Sequence, residues 1–350
     1  MKARGTPDKG GDTQRLLAID SASGEVFERT VGELPQLLRA GDLVVLNDAA
    51  TMPASLQARA NGAAIELRLA GPPEQGRWLA VLFGDGSWRV DTDARPAPPR
   101  LELGARIELD GRVQAHVVAV DPTSTRLVWL AFDVPEAAVW SLLYRRGQPV
   151  QYSYLAHALA LSDVQTSYAG RPWSVEMPSA GRPLTIATLL ALRRRGIEVA
   201  MLTHAAGLSA TGDPALDARL PLPERYDLPA STVVAVAAAR ARGGRVVAVG
   251  TSVVRALEGS AAQHGGVLRA GSGLTDLRIS PTFTRRVVDG VLSGVHEPGS
   301  SHHALLGAFA DASLLEHAHA WALAHDLQVH EFGDSTLVLP GLAHRDRLAA

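Results

Sequence analysis

The chain has 350 residues, of which 46% are hydrophobic and 20% charged, with a formal net charge of −2. This length suggests about two domains with enough apolar residues to bury a core. The absence of cysteine excludes disulfides, thiolate nucleophiles and cysteine-ligated zinc. The near-neutral charge means that any nucleic-acid contact must come from local basic patches. We find no signal peptide and no bilayer-spanning apolar run, so we expect a cytoplasmic protein with no membrane partner.

The first predicted elements are two strands, RLLAID at 15–20 and DLVVLN at 42–47. After Pro53 the sequence changes to short alternating apolar runs, which are typical of antiparallel strands with one buried face. These runs cover 65–70, 77–83, 106–111, 112–120 and 126–132, and Asp110-Gly111 indicates a hairpin between two of them. We therefore predict a small all-β barrel over 56–147, inserted into an α/β domain made of 1–55 and 148–350.

Helices and strands alternate after residue 180. The pattern predicts helices over 185–195, 231–242 and 313–325, and a capping box starting at Ser313 indicates the beginning of the last one. Strands are predicted at 198–202, 246–249 and 336–339. This alternation predicts a mixed-sheet α/β domain.

The segment RVVAVGTSVVRALEGS, residues 245–260, predicts a buried strand, a turn of small residues and a helix. The first N–H groups of a helix and its dipole form a site for an anionic group. Gly250, Thr251 and Ser252 are candidates to hold such a group, and Arg255 follows one turn into the helix. The alternative is plain architecture, because strand–turn–helix units occur throughout α/β proteins.

Two histidines lie in loops that follow predicted strands. His204 follows EVAMLT, and His296 lies in SGVHEPGSS after VVDGVL. Open α/β sheets place ligands at strand ends, so we expect both loops to meet the Arg255 turn in one cleft. A structural role is the alternative for each histidine. The spacing of the other C-terminal histidines does not let them converge on one ion, so we predict no metal and assign them to packing or to the surface.

Seven segments in order match a known pattern: RLLAID (15–20), GDLVVLNDAATMPASL (41–56), VQTSYAG (164–170), MPSAGRPLT (177–185), VVAVGTSVVRALE (246–258), VDGVLSGVHEPGSS (288–301) and HEFGDSTLVL (330–339). Together they resemble the S-adenosylmethionine:tRNA ribosyltransferase-isomerase family of queuosine biosynthesis. The resemblance implies an α/β domain with an inserted β-barrel. It also implies S-adenosylmethionine as co-substrate, with its ribosyl part moved to the aminomethyl group of a 7-aminomethyl-7-deazaguanine in tRNA. Adenine and methionine are then released.

The resemblance also suggests which residues form the site. The catalytic candidates are His296, His204, Glu224 and Asp289. The candidates for binding S-adenosylmethionine are Gly250, Thr251, Ser252, Arg255, Glu258, Ala180 and Gly181.

Several loop positions depart from the family pattern. The arginine of the family's NDTR segment is Ala50 here, and the histidine of its AGLHFT segment is Pro183. The departures cluster in loops, whereas the strands match. Two alternatives therefore stand beside a tRNA acceptor: a small-molecule acceptor for the same donor, and a non-catalytic paralogue that binds nucleotide or RNA. The sequence leaves the oligomeric state open.

Overall fold

The computed structural model describes residues 1–7, 11–110 and 113–342. The first elements are β1 (Lys2–Ala3), β2 (Arg15–Asp20), β3 (Val26–Thr30), α1 (Leu34–Leu37), β4 (Leu43–Asn47) and β5 (Ala50–Thr51). The next are β6 (Ser55–Ala60), β7 (Ala63–Leu69), β8 (Trp78–Phe83), β9 (Arg106–Glu108), β10 (Gln114–Val120), β11 (Leu127–Phe132) and α2 (Glu136–Arg146).

The second half of the chain returns to alternating strands and helices. Its elements are β12 (Pro172–Ser174), α3 (Ile186–Arg194), β13 (Glu198–His204), α4 (Pro214–Asp217), β14 (Glu224–Leu228), α5 (Ala230–Ala241), β15 (Val246–Val249), α6 (Thr251–Gln263), β16 (Gly271–Thr275), β17 (Gly290–Gly294), α7 (Ser301–Leu306), α8 (Ala312–Ala324), β18 (Gln328–Val329) and β19 (Ser335–Leu339). None of the helices in the described ranges is long and apolar enough to cross a membrane.

A nine-stranded mixed sheet forms the α/β part of the described chain, in the order β16-β14-β13-β4-β15-β17-β19-β2-β3. Strands β13, β4, β15 and β17 are parallel neighbours, so their carboxyl ends meet at one edge, which we call the carboxyl edge. Strand β19 runs antiparallel to β17, with Gly294 opposite Ser335, so β19 begins at this edge. Strand β14 is antiparallel to β13, with His204 opposite Tyr226, so β14 also begins at this edge, where the four parallel strands end.

The central strands are apolar throughout because both faces of the sheet are covered. Val45 of β4 belongs to one buried cluster with residues of α5, α6 and α8, whereas Val44 belongs to another with residues of α3. Alternate residues of a strand point to opposite faces, so a continuous apolar run fills both clusters. This arrangement fixes the strand ends that carry the polar residues.

Strands β6 to β11 close into a barrel in the order β10-β11-β8-β7-β6-β9, with every pair antiparallel. The predicted fold class, a mixed-sheet α/β domain with an inserted small all-β barrel, is confirmed. The predicted hairpin residue Gly111 lies outside the described residues. The boundaries of the two domains at 55/56 and 147/148 stay a prediction.

The barrel core contains three buried charges. Glu66 accepts from Arg68 Nε at 2.6 Å and from Arg95, and Ser55 Oγ donates to it at 2.8 Å. All three charged residues are at most 4% exposed. Burial alone would raise the pKa of Glu66, but the two arginines outweigh it and hold that pKa below its ordinary value. Glu66 is therefore ionised and joins two cations inside the barrel.

The start of α8 differs from its prediction. Asp311, not Ser313, is the N-cap, and its carboxylate accepts from Leu314 N at 2.9 Å. Ser313 Oγ donates to the same carboxylate. Both residue types are good N-caps, and the sequence places them two positions apart, so the pattern alone could not separate them.

Candidate active site

The turn between β15 and α6 lies at the carboxyl edge. Gly250 has φ 92°, which is in the left-handed region that glycine adopts without strain. Its N–H donates to Leu292 O of β17 at 2.7 Å, and its carbonyl accepts from Val253 N and Val254 N. Gly250 supplies no side chain to cap α6, so the turn leaves bare backbone at the helix start. Such a turn suits an anionic group close to the backbone.

The segment holding Ala180 and Gly181 packs against this turn. A Cβ placed on Gly250 would lie 3.6 Å from the Cβ of Ala180, and one placed on Gly181 would collide with the Tyr168 hydroxyl. That hydroxyl donates to Gly181 O at 3.3 Å. The structure thus brings both of these predicted binding residues to the predicted Gly250–Ser252 turn.

Asn47, at the end of β4, connects three elements of this edge. Its Nδ2 donates to His204 O at 2.9 Å, and its Oδ1 accepts from His204 N at 2.9 Å. The same Nδ2 donates to Ser252 Oγ at 3.4 Å. Asn47 is 1% exposed, so these bonds form away from water. They fix the start of α6 relative to the end of β13.

Glu224, at the start of β14, lies between two predicted site residues. Its Oε1 accepts from Gly207 N at 2.8 Å, and its Oε2 forms an ion pair with Arg255. The same Oε2 lies 3.2 Å from His204 Nε2. The three side chains are 11% exposed or less. Arg255 therefore meets a carboxylate of the protein itself.

Burial determines the protonation states of His204 and Arg255. Burial, followed by the positive charge of Arg255, holds the pKa of His204 well below its usual range. Burial, followed by the charge of Arg278, lowers the pKa of Arg255 to about 10. At neutral pH His204 is a neutral imidazole and Arg255 a cation. His204 Nδ1 and Arg255 Nε are buried without a hydrogen-bond partner among the described residues.

His296 follows β17 and pairs with a second histidine. Its Nε2 lies 2.6 Å from Ser293 Oγ, and its ring stacks on His302 with 4.8 Å between centroids. Burial, followed by the charges of His302, His303 and His330, lowers the pKa of His296 well below its usual range. Burial and then the charge of Arg255 lower the pKa of His302. His302 thus contacts His296 and also lies within electrostatic range of Arg255.

Two predicted site residues lie elsewhere. Asp289 precedes β17, at the opposite edge of the sheet, and its Oδ2 accepts from Val246 N at 2.8 Å. Glu258 is fully buried and accepts from the backbone N–H groups of Arg286, Val287 and Val288, each at 2.9 Å. Both carboxylates hold the segment that leads into β17, and neither is brought to the carboxyl edge.

Sequence reasoning missed two residues of this site. His302 was assigned to packing or to the surface because adjacent histidines on a helix diverge. The ring of His302 stacks on that of His296, whereas His303 acts on His296 only through its charge among the described contacts. Asn47 ends an apolar strand, and that polar residue at a strand end was the signal available for it. No group of three or more histidine, aspartate or glutamate side chains in the described ranges is placed to hold a metal ion.

The buried neutral histidines predict a pH dependence of stability. The unfolded chain takes up a proton at His204 near pH 6.5, whereas the folded chain does not, so stability is lost as the pH falls through that value. Between pH 7.5 and 5.5, we expect the free energy of unfolding to fall by about 1.4 kcal/mol less in His204→Gln than in the wild type. Urea titrations at both pH values measure this difference.

Carboxyl groups with raised pKa values, such as Glu331, change the stability in the opposite direction as the pH falls. They are present in both the wild type and His204→Gln, so their effect cancels when the two are compared. His157→Gln, at an exposed position, serves as control and should follow the wild type. Parallel pH dependences for wild type and His204→Gln would show that His204 protonates in the folded state.

Comparisons with known proteins cover the whole of this architecture. Residues 3–338 match the family model described as "Queuosine biosynthesis protein". The chain is 35% identical to the S-adenosylmethionine:tRNA ribosyltransferase-isomerase of Gloeobacter violaceus over 341 residues, 96% of this chain and 92% of that protein. It is 36% identical to the enzyme of the same name from Thermosynechococcus vestitus, over 95% of this chain and 91% of that protein.

A solved structure has the same fold. The S-adenosylmethionine tRNA ribosyltransferase of Thermotoga maritima aligns with a TM-score of 0.51 and 23% identity, over 96% of each chain. The likeness includes both the sheet and the barrel, since almost the full length of each chain is aligned.

Proposed function

This chain belongs to the queuosine biosynthesis protein family, and on that premise we propose that it is an S-adenosylmethionine:tRNA ribosyltransferase-isomerase. The observation that carries the proposal is the match to relatives of that name over about 95% of the chain, together with a family match over residues 3–338 that includes every segment of the carboxyl edge. Its substrates are then S-adenosylmethionine and a tRNA that bears 7-aminomethyl-7-deazaguanine. A tRNA substrate places its action in the cytoplasm.

The chemistry requires a base, an acid and an anchor. The sulfonium makes the adjacent C5′ protons acidic, so a base of ordinary strength removes one of them. Methionine leaves with the electron pair of its carbon–sulfur bond, and adenine leaves C1′ more easily when it receives a proton. The aminomethyl nitrogen becomes bonded to the former ribosyl part, which ends as an epoxycyclopentanediol.

The start of α6 is the proposed anchor for the methionine carboxylate. Backbone N–H groups of Thr251 and Ser252 and the helix dipole favour a negative charge there. Ala180 packs beside Gly250, and the two small residues let a ligand approach the backbone. Arg255 of the same helix is paired with Glu224, which offsets most of its positive charge. It also holds Glu224 in place.

His296 is the proposed base. A buried imidazole with a depressed pKa is neutral at pH 7, so its unprotonated nitrogen is available to accept a proton. His204 has the same protonation but is completely buried, with Nε2 facing Glu224. We assign His204 and Glu224 to positioning Arg255 and the start of α6.

The decisive experiment is turnover with defined substrates. The protein is incubated with S-adenosylmethionine, with and without tRNA bearing 7-aminomethyl-7-deazaguanine, and adenine and methionine are measured by mass spectrometry. We expect both products in equal amounts, and only when the modified tRNA is present. Equal release without tRNA would mean that the donor is cleaved with water in place of the tRNA acceptor, and no release in either reaction would contradict the proposed activity.

Salt dependence gives an independent readout of the tRNA. Affinity for tRNA should fall steeply as the salt concentration rises, because arginines that contact phosphates release counterions. An affinity that does not change with salt would contradict a phosphate-contacting surface.

A further inference from the structure

Three aromatic rings form a stack next to the candidate active site. The ring of Tyr154 lies nearly parallel to that of His330, with 4.2 Å between centroids and an interplanar angle of 14°. Tyr152 also stacks on Tyr154, with 6.2 Å between ring centroids and an interplanar angle of 16°. Tyr152 and Tyr154 are partly buried, whereas His330 is exposed. His330 is therefore the solvent-facing end of the stack.

A partly buried carboxyl group lies beside this stack. Glu331 accepts a hydrogen bond from the Tyr154 hydroxyl through Oε2. Burial raises the pKa of Glu331 to about 7, and the hydrogen bonds and ion pairs of the described residues include no cation that contacts it. Its second oxygen, Oε1, takes part in none of the described hydrogen bonds. A ligand that brings N–H donors to such a carboxyl group is stabilised by the hydrogen bonds that form.

The backbone at His330 is strained. Its φ is 71°, in the left-handed region that non-glycine residues seldom adopt. Residues held in such conformations persist where the surrounding structure enforces them, and they concentrate at ligand sites. Glycine would relieve this strain at the same position.

The stack belongs to the same edge as His296. Residues 330–334 connect β18 to β19, and Asp334 O accepts from Val295 N at 3.0 Å. The charge of His330 contributes to the lowered pKa of His296. Tyr154 and Met177 both pack against the small buried cluster that contains Phe332, and Met177 begins the segment that contains Ala180. The ring stack therefore adjoins both the His296 loop and the segment that contains Ala180.

We propose that His330, Tyr154 and Glu331 form a subsite for a planar nucleobase, which stacks on His330 and donates N–H groups to Glu331. The inference rests on the proposed function for its two candidate ligands. One is the adenine of S-adenosylmethionine, which presents an exocyclic amino group. The other is the deazaguanine of the tRNA, which presents a ring N–H and an amino group on one edge. Both combine a flat ring with hydrogen-bond donors, which matches the stack and the carboxyl.

The test uses three variants that remove the His330 ring, the Tyr154 hydroxyl and the Glu331 carboxylate one at a time. His330→Gly removes the stacking ring and relieves the backbone strain. Tyr154→Phe keeps the ring but removes the hydrogen bond to Glu331, and Glu331→Gln removes the charge. We expect His330→Gly to weaken base binding about ten-fold or more, as loss of one base–aromatic stack does. Its melting temperature should stay equal or rise, because glycine adopts φ 71° freely.

Two binding measurements distinguish the sources of the base. Calorimetry gives the affinity for S-adenosylmethionine. A second titration uses a stem–loop RNA with 7-aminomethyl-7-deazaguanine and the same RNA with an abasic nucleotide at that position. A loss confined to the first titration identifies adenine, and a loss confined to the modified RNA identifies the deazaguanine. His325→Ala is the matched control, because His325 stacks on Trp321 at 3.6 Å on α8, and it should keep both affinities.

Failure of the subsite proposal and failure of the proposed function give different results in the turnover and binding assays. If the wild type releases adenine and methionine but His330→Gly and Glu331→Gln keep both wild-type affinities, the subsite is wrong and the function stands. A lower melting temperature of His330→Gly with unchanged affinities would mean that the ring serves only packing. If the wild type binds neither ligand, both proposals fail.

Discussion

Asparagine in place of His296 is expected to lower kcat/KM for adenine release by about 10²–10⁴-fold, the usual contribution of a positioned general base. The substitution removes the imidazole that accepts the C5′ proton. Affinity for S-adenosylmethionine should change little, since the proposed anchor at the start of α6 is untouched. Single-turnover assays with saturating donor and modified tRNA measure the rate, and calorimetry measures the affinity.

His317→Asn is the control for this variant, because His317 is exposed on α8. It should keep wild-type turnover. A His296→Asn variant with wild-type kcat/KM would exclude His296 as the base and would direct attention to His302, whose ring stacks on it.

Glutamine in place of Glu66 is expected to destabilise the protein by about 3–5 kcal/mol. The change preserves the shape of the side chain but leaves Arg68 and Arg95 buried without an opposing charge. Both guanidinium groups lie over the ring of Phe83, at 4.3 and 5.2 Å, in a site that water does not reach. Urea unfolding followed by far-UV circular dichroism measures the loss.

Glu108→Gln provides the comparison, since Glu108 is exposed on strand β9 of the same barrel. Its effect should remain within about 0.5 kcal/mol, as for most surface substitutions. Equal stabilities of the two variants would show that the barrel tolerates two unpaired buried arginines, and the ion pairs would then carry little of its stability.

The architecture could be predicted from the sequence because the patterns that indicate strands and helices are local and repeated. Apolar runs without alternation, as in β4 and β15, belong to strands covered on both faces, whereas alternating runs belong to the barrel. Histidines after two strands were predicted to lie at the same edge, and the structure places His204 and His296 there. These inferences need only the direction of a strand and the position of its end.

The roles of individual carboxylates could not be obtained in the same way. Glu258 and Asp289 occur inside matched segments, as do Gly250 and His296. Their partners, however, are backbone N–H groups of segments at least 28 residues away in sequence. No local pattern indicates that Glu224 pairs with Arg255, because the two are brought together only when β14 and α6 pack. Side-chain partners that depend on tertiary packing leave no periodic pattern.

The place of β19 in the sheet has a consequence for synthesis of the protein on the ribosome. Strand β2, near the start of the chain, joins the sheet through β19, which pairs with it from Ser335 to Leu339. The barrel uses strands from Ser55 to Phe132 and needs no later strand to close. The nascent chain can therefore complete the barrel early, while β2 and β3 must wait for almost the last residues to emerge. A chain that stops before residue 330 would lack both this connection and the loop beside His296, so premature products would be unable to act on substrate.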